Sequence, residues 1–200
     1  MPRFPVGGHR GLFAVVGGFL RLPAKRAGGS RAAGIQIAPV RPDDAAGILR
    51  VHLDAFQDAY AGVPGMDGEA LARFVRDDLA PRKKGDWERA ARGEGLLVAR
   101  SGQNVVGFCE VTRHKTGATV SGLYVHPEVQ GLGIGRQLLE RGLTGLPRST
   151  SVDLQVALNT PAVGFYEHLG FKAGEVLPTP DPLRRAGLKL PMVGMKITTP

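Results

Sequence analysis

Leu123-Tyr124-Val125-His126-Pro127-Glu128-Val129-Gln130-Gly131-Leu132-Gly133-Ile134-Gly135-Arg136-Gln137-Leu138-Leu139 is the stretch that decides the fold. It opens as an apolar β-type run, passes through three glycines at alternate positions, and continues with apolar residues at helical spacing, so it reads as strand, tight loop and helix. Residues without a Cβ let the chain turn sharply and let a ligand approach the backbone, so that successive N–H groups can point into one concavity. At a helix N-terminus, where unpaired donors and about half a unit of positive charge collect, such a concavity suits an anion. Arg136 adds a full charge there, and a pyrophosphate is the expected guest.

Two familiar phosphate loops do not fit. No Lys-Ser or Lys-Thr pair follows the glycines to hold a γ-phosphate and magnesium, which excludes the P-loop. The spacing Gly131-Leu132-Gly133-Ile134-Gly135 is not GxGxxG, and the following acid, Asp153, begins a strand where a dinucleotide-binding fold would end one.

Working outward, residues 35–40 read as a short strand, ended by Arg41-Pro42-Asp43-Asp44, with Asp43 as the expected N-cap of a helix over residues 44–60. Ala45, Ile48, Leu49, Leu53, Phe56 and Tyr60 form its buried stripe. After the breaker at residues 62–68, a second helix is expected from about Glu69 to a stop at Pro81, with a polar segment around Trp87 leading to Gly93. Three β-rich runs follow at 96–100, 105–113 and 119–126, joined by Ser101-Gly102-Gln103-Asn104 and His114-Lys115-Thr116-Gly117, so they should pair antiparallel. A helix over 133–143 leads to an alternating strand with Val152, Leu154, Val156 and Leu158 on one face. Thr160 as N-cap, Pro161 at the first position and Gly170 at the C-terminal cap bracket a short helix. The last strands are 171–176 and 192–197, separated by a Pro-rich loop over 177–191. The order β-α-α-β-β-β-α-β-α-β-β is a mixed α/β layer fold.

Two hundred residues suit one domain with a sizeable core. The formal charge of +8 is concentrated: residues 1–34 hold Arg3, Arg10, Arg21, Lys25, Arg26 and Arg31 with no acid, so six of the eight excess charges lie there. The remainder is nearly balanced, which argues against a nucleic-acid partner. The apolar run at 11–20 is too short to span a bilayer, and no membrane association is expected. We read residues 1–34 as a basic Gly/Arg-rich disordered leader, for which an upstream start read into the chain is one origin, in preference to a targeting segment, and residues 35–198 as the domain. The lone Cys109 cannot form an internal disulfide, no Cys/His cluster supplies metal ligands, and a reducing, cytoplasmic compartment is expected.

In context, residues 123–139 resemble the acetyl-CoA signature, Q/R-x-x-G-x-G/A after a strand, of the GNAT superfamily of N-acetyltransferases. Asn159 and Gly164-Phe165-Tyr166-Glu167-His168-Leu169-Gly170-Phe171 are similar to that family's second signature at the expected distance downstream. Ala55-Phe56-Gln57-Asp58-Ala59-Tyr60-Ala61-Gly62 also looks like members of the family, more loosely, and the resemblance covers about residues 35–198.

That resemblance implies a central mixed, mostly antiparallel sheet with helices on both faces, and acetyl-CoA as co-substrate without a metal. It places the pyrophosphate on Gln130, Gly131, Leu132, Gly133, Ile134, Gly135 and Arg136. The pantetheine arm and acetyl carbonyl would meet backbone groups of Leu123, Tyr124 and Val125, with Asn159 bonding the pantetheine amides. Tyr166 would protonate the departing thiolate, its neutral phenol being able to do so at pH 7. Relatives often carry an acid early in the fourth strand, where this chain has Thr119-Val120-Ser121, so Glu110 on the preceding strand becomes the candidate base. His126 reads as a structural cap and Cys109 as a small core residue. The expected acceptor is a small-molecule amine or a peptide N-terminus, entering past residues 61–68 and the Pro-rich loop, and a homodimer is left open. A catalytically inactive acyl-CoA-binding sensor of the same fold is the alternative.

Overall fold

The computed structural model describes residues 34–93 and 95–200. The leader read from residues 1–34 therefore lies, apart from Gly34, outside the described residues. Seven strands form one sheet: β1 (Ile35–Pro39), β2 (Leu96–Ser101), β3 (Asn104–His114), β4 (Gly117–Val125), β5 (Ser151–Ala157), β6 (Lys172–Leu177) and β7 (Met192–Thr198), in the order β1-β2-β3-β4-β5-β7-β6. All neighbours are antiparallel except β4 and β5. The helices are α1 (Ala45–Tyr60), α2 (Gly68–Phe74), α3 (Ala80–Ala90), α4 (Ile134–Leu143), α5 (Pro161–His168) and α6 (Asp181–Arg185). The mixed α/β architecture expected from the sequence is the one observed.

The sheet separates two apolar layers. On one face α1, α2 and α3 bury Ile48, Phe56, Tyr60, Leu71, Phe74 and Trp87 against Val98, Phe108 and Tyr124. On the other, α4 and α5 bury Ile134, Leu138, Leu139, Ala162 and Tyr166 against Cys109, Leu123, Val125, Val156 and Met195. Alternation along β3 and β4 produces this division, because successive side chains leave a strand on opposite faces.

Several local expectations are corrected. Asp43 does not cap α1: a 3-10 turn at Pro42–Asp44 comes first, and the Asp44 carboxylate accepts the Arg41 N–H at 2.6 Å and the Arg100 guanidinium. Pro81 does not stop the second helix. A π-helical turn over Val75–Leu79, closed by a bond from the Ala80 N–H to the Val75 carbonyl, widens the backbone just before the proline, so the ring meets no carbonyl at the usual spacing. The chain continues as α3, and Trp87, expected in a polar segment, is buried on it. Thr160 occupies the N-cap position of α5, but its hydroxyl donates to the Ala157 carbonyl at 2.7 Å in place of accepting from the helix. Leu158 falls beyond β5, and the Pro-rich loop contains α6.

The parallel pair β4–β5 positions the site. Its register holds only Ala118 with Val152 and Thr119 with Asp153, whereas β4 stays paired with β3, and β5 with β7, along their lengths. Thr119 donates its hydroxyl hydrogen to Asp153 at 2.8 Å, at the point where the strands separate. The β3–β4 register shifts beside Ser121, between the pairs Glu110–Gly122 and Val111–Val120. Such a bulge bends its strand and sharpens the twist, which turns the carboxyl half of β4 away from β5.

Candidate active site

The opening between β4 and β5 has one wall of exposed backbone. His126 donates its N–H to the Val106 carbonyl, so the residues of β4 in phase with it, Gly122 and Tyr124, spend their amides on β3. Those out of phase, Leu123 and Val125, turn theirs towards the opening. Of the three strand residues expected to meet a pantetheine arm through the backbone, Tyr124 is thus directed towards Phe108 instead. The Val125 carbonyl is taken by the Gln130 side-chain amide at 3.0 Å, which ties the glycine loop to the strand.

The loop sits at the carboxyl end of β4, the end at which the opening widens. Gly131 and Gly133 adopt φ of +78° and +77°, a left-handed geometry costing other residues roughly 1–2 kcal/mol. A Cβ added to Gly131 would meet nothing within 4 Å, so conformation and access, not packing, account for glycine there. Gly133 is the N-cap of α4, and the first bond inside the helix runs from the Gln137 N–H to the Gly133 carbonyl, which leaves the amides before it without acceptors in the helix. Leu132 is exposed at the loop tip, while Ile134 and Gly135 are buried at the helix start. The Arg136 guanidinium lies back along α4 on Glu140 at 2.7 Å. An exposed pair of this kind is worth only about 0.3–0.5 kcal/mol, so a doubly charged anion at the loop can recruit the arginine.

Tyr166 comes from α5 and is fully buried, and its hydroxyl, like that of Tyr60, finds no hydrogen-bond partner. Burial, with smaller contributions from Cys109 and Tyr124, pushes its ionisation well above the ordinary tyrosine value, so the phenol stays protonated. Asn159 is exposed in the turn before α5 with φ of +62°, and that left-handed backbone by itself accounts for an asparagine.

Glu110 leaves β3 on the α1–α3 face. Burial raises its pKa, the Lys83 ammonium opposes that rise, and Asp86 reinforces it. Lys83 is buried on α3, 3.6 Å from the Asp86 carboxylate and over the Trp87 ring, and burial lowers its pKa. The Trp87 indole donates to Nδ1 of His52 at 3.2 Å; an indole can only donate, so this imidazole carries its proton on Nε2 and is neutral. Burial, aided by Lys83, holds the His52 pKa well below its usual value. His126, expected as a cap, accepts from the Glu128 N–H and approaches Asp54 at 3.4 Å. Cys109 is buried and its thiol is pushed up to about 12 by burial, which suits a core residue. Sequence reasoning passed over Lys83, His52 and Tyr60. Helical spacing marks Tyr60 only as core, His52 lies outside the apolar stripe read for α1, and Lys83 sits in a segment read as polar and irregular. Among the described residues no group of His, Cys, Asp and Glu is arranged to hold a metal ion.

The site thus combines two neighbouring parallel strands that part after two paired residues, a left-handed glycine loop leading into α4, and a buried, unpartnered phenol on α5. Residues 92–173, less than half of the chain, match the family described as "Acetyltransferase (GNAT) domain". The chain is 47% identical over 58 residues to the peptidyl-lysine N-acetyltransferase YjaB of Salmonella typhimurium, covering 28% of this chain and 38% of that protein. It is 36% identical over 106 residues to the N-alpha-acetyltransferase RimI of Mycobacterium tuberculosis, covering 50% of this chain and 65% of that one. The matched segments thus span less than two thirds of each relative. Among solved structures, the PaiA N-acetyltransferase of Thermoplasma acidophilum in complex with coenzyme A shares the fold, with a TM-score of 0.60 at 20% identity over 82% of this chain and 99% of that one.

Proposed function

We propose that this protein is an N-acetyltransferase that moves the acetyl group of acetyl-CoA directly onto a primary amine. The observation that carries the reading is the parting of β4 from β5 beyond Thr119 and Asp153, with a left-handed glycine loop and the N-terminus of α4 at its mouth. The loop amides of residues 130–136 and the Arg136 guanidinium bind the pyrophosphate. The pantetheine chain lies along the exposed edge of β4, pairing with the Leu123 backbone and the Val125 N–H, and Asn159 meets it from the far side.

The amine approaches from the α1–α3 face and Glu110 takes its proton, directly or through water. The amine nitrogen bonds to the thioester carbon, a β4 amide stabilises the tetrahedral oxyanion, and the carbon–sulfur bond breaks. Tyr166 supplies a proton to the thiolate. The relatives named for peptidyl-lysine and N-alpha acetylation support a peptide amine as acceptor, and the neutral, buried thiol of Cys109 supports a cytoplasmic setting.

Calorimetric titration with acetyl-CoA, on the native protein and on Gly133→Val, tests the reading. Micromolar binding that weakens at least about tenfold in the variant is expected, because a β-branched residue cannot hold the left-handed cap that aims the amides. Absence of heat with the native protein would sink the proposal.

A further inference from the structure

Tyr60, the last residue of α1, is 1% exposed, and its hydroxyl has no partner. Among the described residues, the only other buried side-chain polar atom in that state is the Tyr166 hydroxyl. Tyr60 packs in one core cluster with Tyr124 of β4 and Ala157, the last residue of β5, the two strands that part, and the phenols of Tyr124 and Tyr166 both oppose its ionisation. These three are all the tyrosines of the chain, and each comes from a different element. Tyr60 and Tyr124 belong to the layer beneath α1–α3, Tyr166 to the layer beneath α4–α5. A sheet keeps such layers apart, and here they meet where β4 and β5 part.

Burying a hydroxyl without a partner is costly, and an unpartnered phenol packed where two strands part marks a place completed by polar atoms of a ligand. A carbonyl oxygen has two lone pairs. The β4 edge supplies one donor, from Leu123 or Val125, and a second must come from the α1 face, because Tyr166 on the opposite side is engaged with the sulfur.

We infer that Tyr60 is an acyl-binding residue, whose phenol donates a hydrogen bond to the acetyl carbonyl oxygen of the bound thioester; the inference rests on the acetyl-CoA reading above. The bond strengthens as the carbonyl becomes a tetrahedral oxyanion, so it serves the reaction as well as binding. Burial keeps the phenol in the donating form. Among the described residues no group gives Tyr60 a reason to carry an oxygen, since phenylalanine would pack equally well on Phe56, 4.8 Å away between ring centres.

The test compares acetyl-CoA with free CoA in calorimetry, on the native protein and Tyr60→Phe. The variant is expected to bind acetyl-CoA about three- to tenfold more weakly while its affinity for CoA is unchanged, as loss of one neutral hydrogen bond requires. Without ligand it should melt about 2–4 °C higher, because an unpaired hydroxyl has been removed. Equal changes for the two ligands, or none, would overturn the inference while leaving the acetyl-CoA reading intact. Failure of the native protein to bind either ligand would remove that reading and the inference with it. Independently of how the variant folds, 3-fluorotyrosine labelling of the native protein yields three fluorine resonances, assigned by elimination with Tyr124→Phe and Tyr166→Phe. The Tyr60 signal should move with acetyl-CoA and stay with CoA, and a Tyr60 signal indifferent to the acetyl group would overturn the inference.

Discussion

Glu110 of β3 stands directly opposite Gly122 of β4. A Cβ at Gly122 would lie 3.3 Å from the Phe108 ring, 3.8 Å from Trp87 and 3.9 Å from Tyr124, so glycine there lets the three aromatic rings close in opposite Glu110. Among the described residues, the cation influencing that carboxylate is the buried Lys83, which partly offsets the effect of burial. An acid in a low-dielectric niche with one countercharge is what a base acting near neutral pH needs.

Activity that uses the Glu110 carboxylate is present above its pKa and lost as pH falls through it. Glu110→Gln is expected to abolish the acid limb of the kcat/KM profile, measured with acetyl-CoA and a peptide amine. Lys83→Met keeps the apolar stem but removes the ammonium, so the same limb should move to higher pH. A limb unmoved by both substitutions would assign the base elsewhere, and Asp153 beside Thr119 would be the next acid to replace.

Tyr166→Phe is expected to lower kcat about 100-fold, within the range for loss of a general acid, with little change in the affinity for acetyl-CoA. Because burial raises the Tyr166 pKa well above 10, the native protein should show no loss of activity attributable to this phenol between pH 7 and pH 10. A kcat that survives the substitution would leave the thiolate to be protonated by solvent.

The buried pair of Asp44 and Arg100 ties the start of α1 to β2. Burial alone would raise the Asp44 pKa, yet the bonds from Arg100 and the Arg41 N–H outweigh it and hold the carboxyl below the model-compound value of 3.8. A depressed carboxyl pKa stabilises the fold above its unfolded value, and this contribution fades as pH falls below about 3.8 towards the folded one. Asp44→Asn is expected to cost about 3–5 kcal/mol in urea unfolding at pH 7, because Arg100 is left buried and uncompensated. The difference from the native protein should shrink in acid.

The sequence alone determined what is written in neighbouring residues. The glycine loop, the strand before it and the helix after it depend on φ preferences and apolar periods that extend over a few positions, so residues 123–139 and the order of elements could be read directly. Long-range partnership was not legible. That β4 leaves β5 after two paired residues follows from a bulge beside Ser121 and from what each strand holds on its other side. Pro81 reads locally as a stop, but tertiary packing of Leu79 and Trp87 draws the chain through it, at the expense of one π turn. Helical spacing identifies Tyr60 as core whether or not its oxygen matters. Only the folded sheet packs Tyr60 against Tyr124 of β4 and Ala157 at the end of β5, where the parallel strands have parted, and leaves its oxygen without a partner.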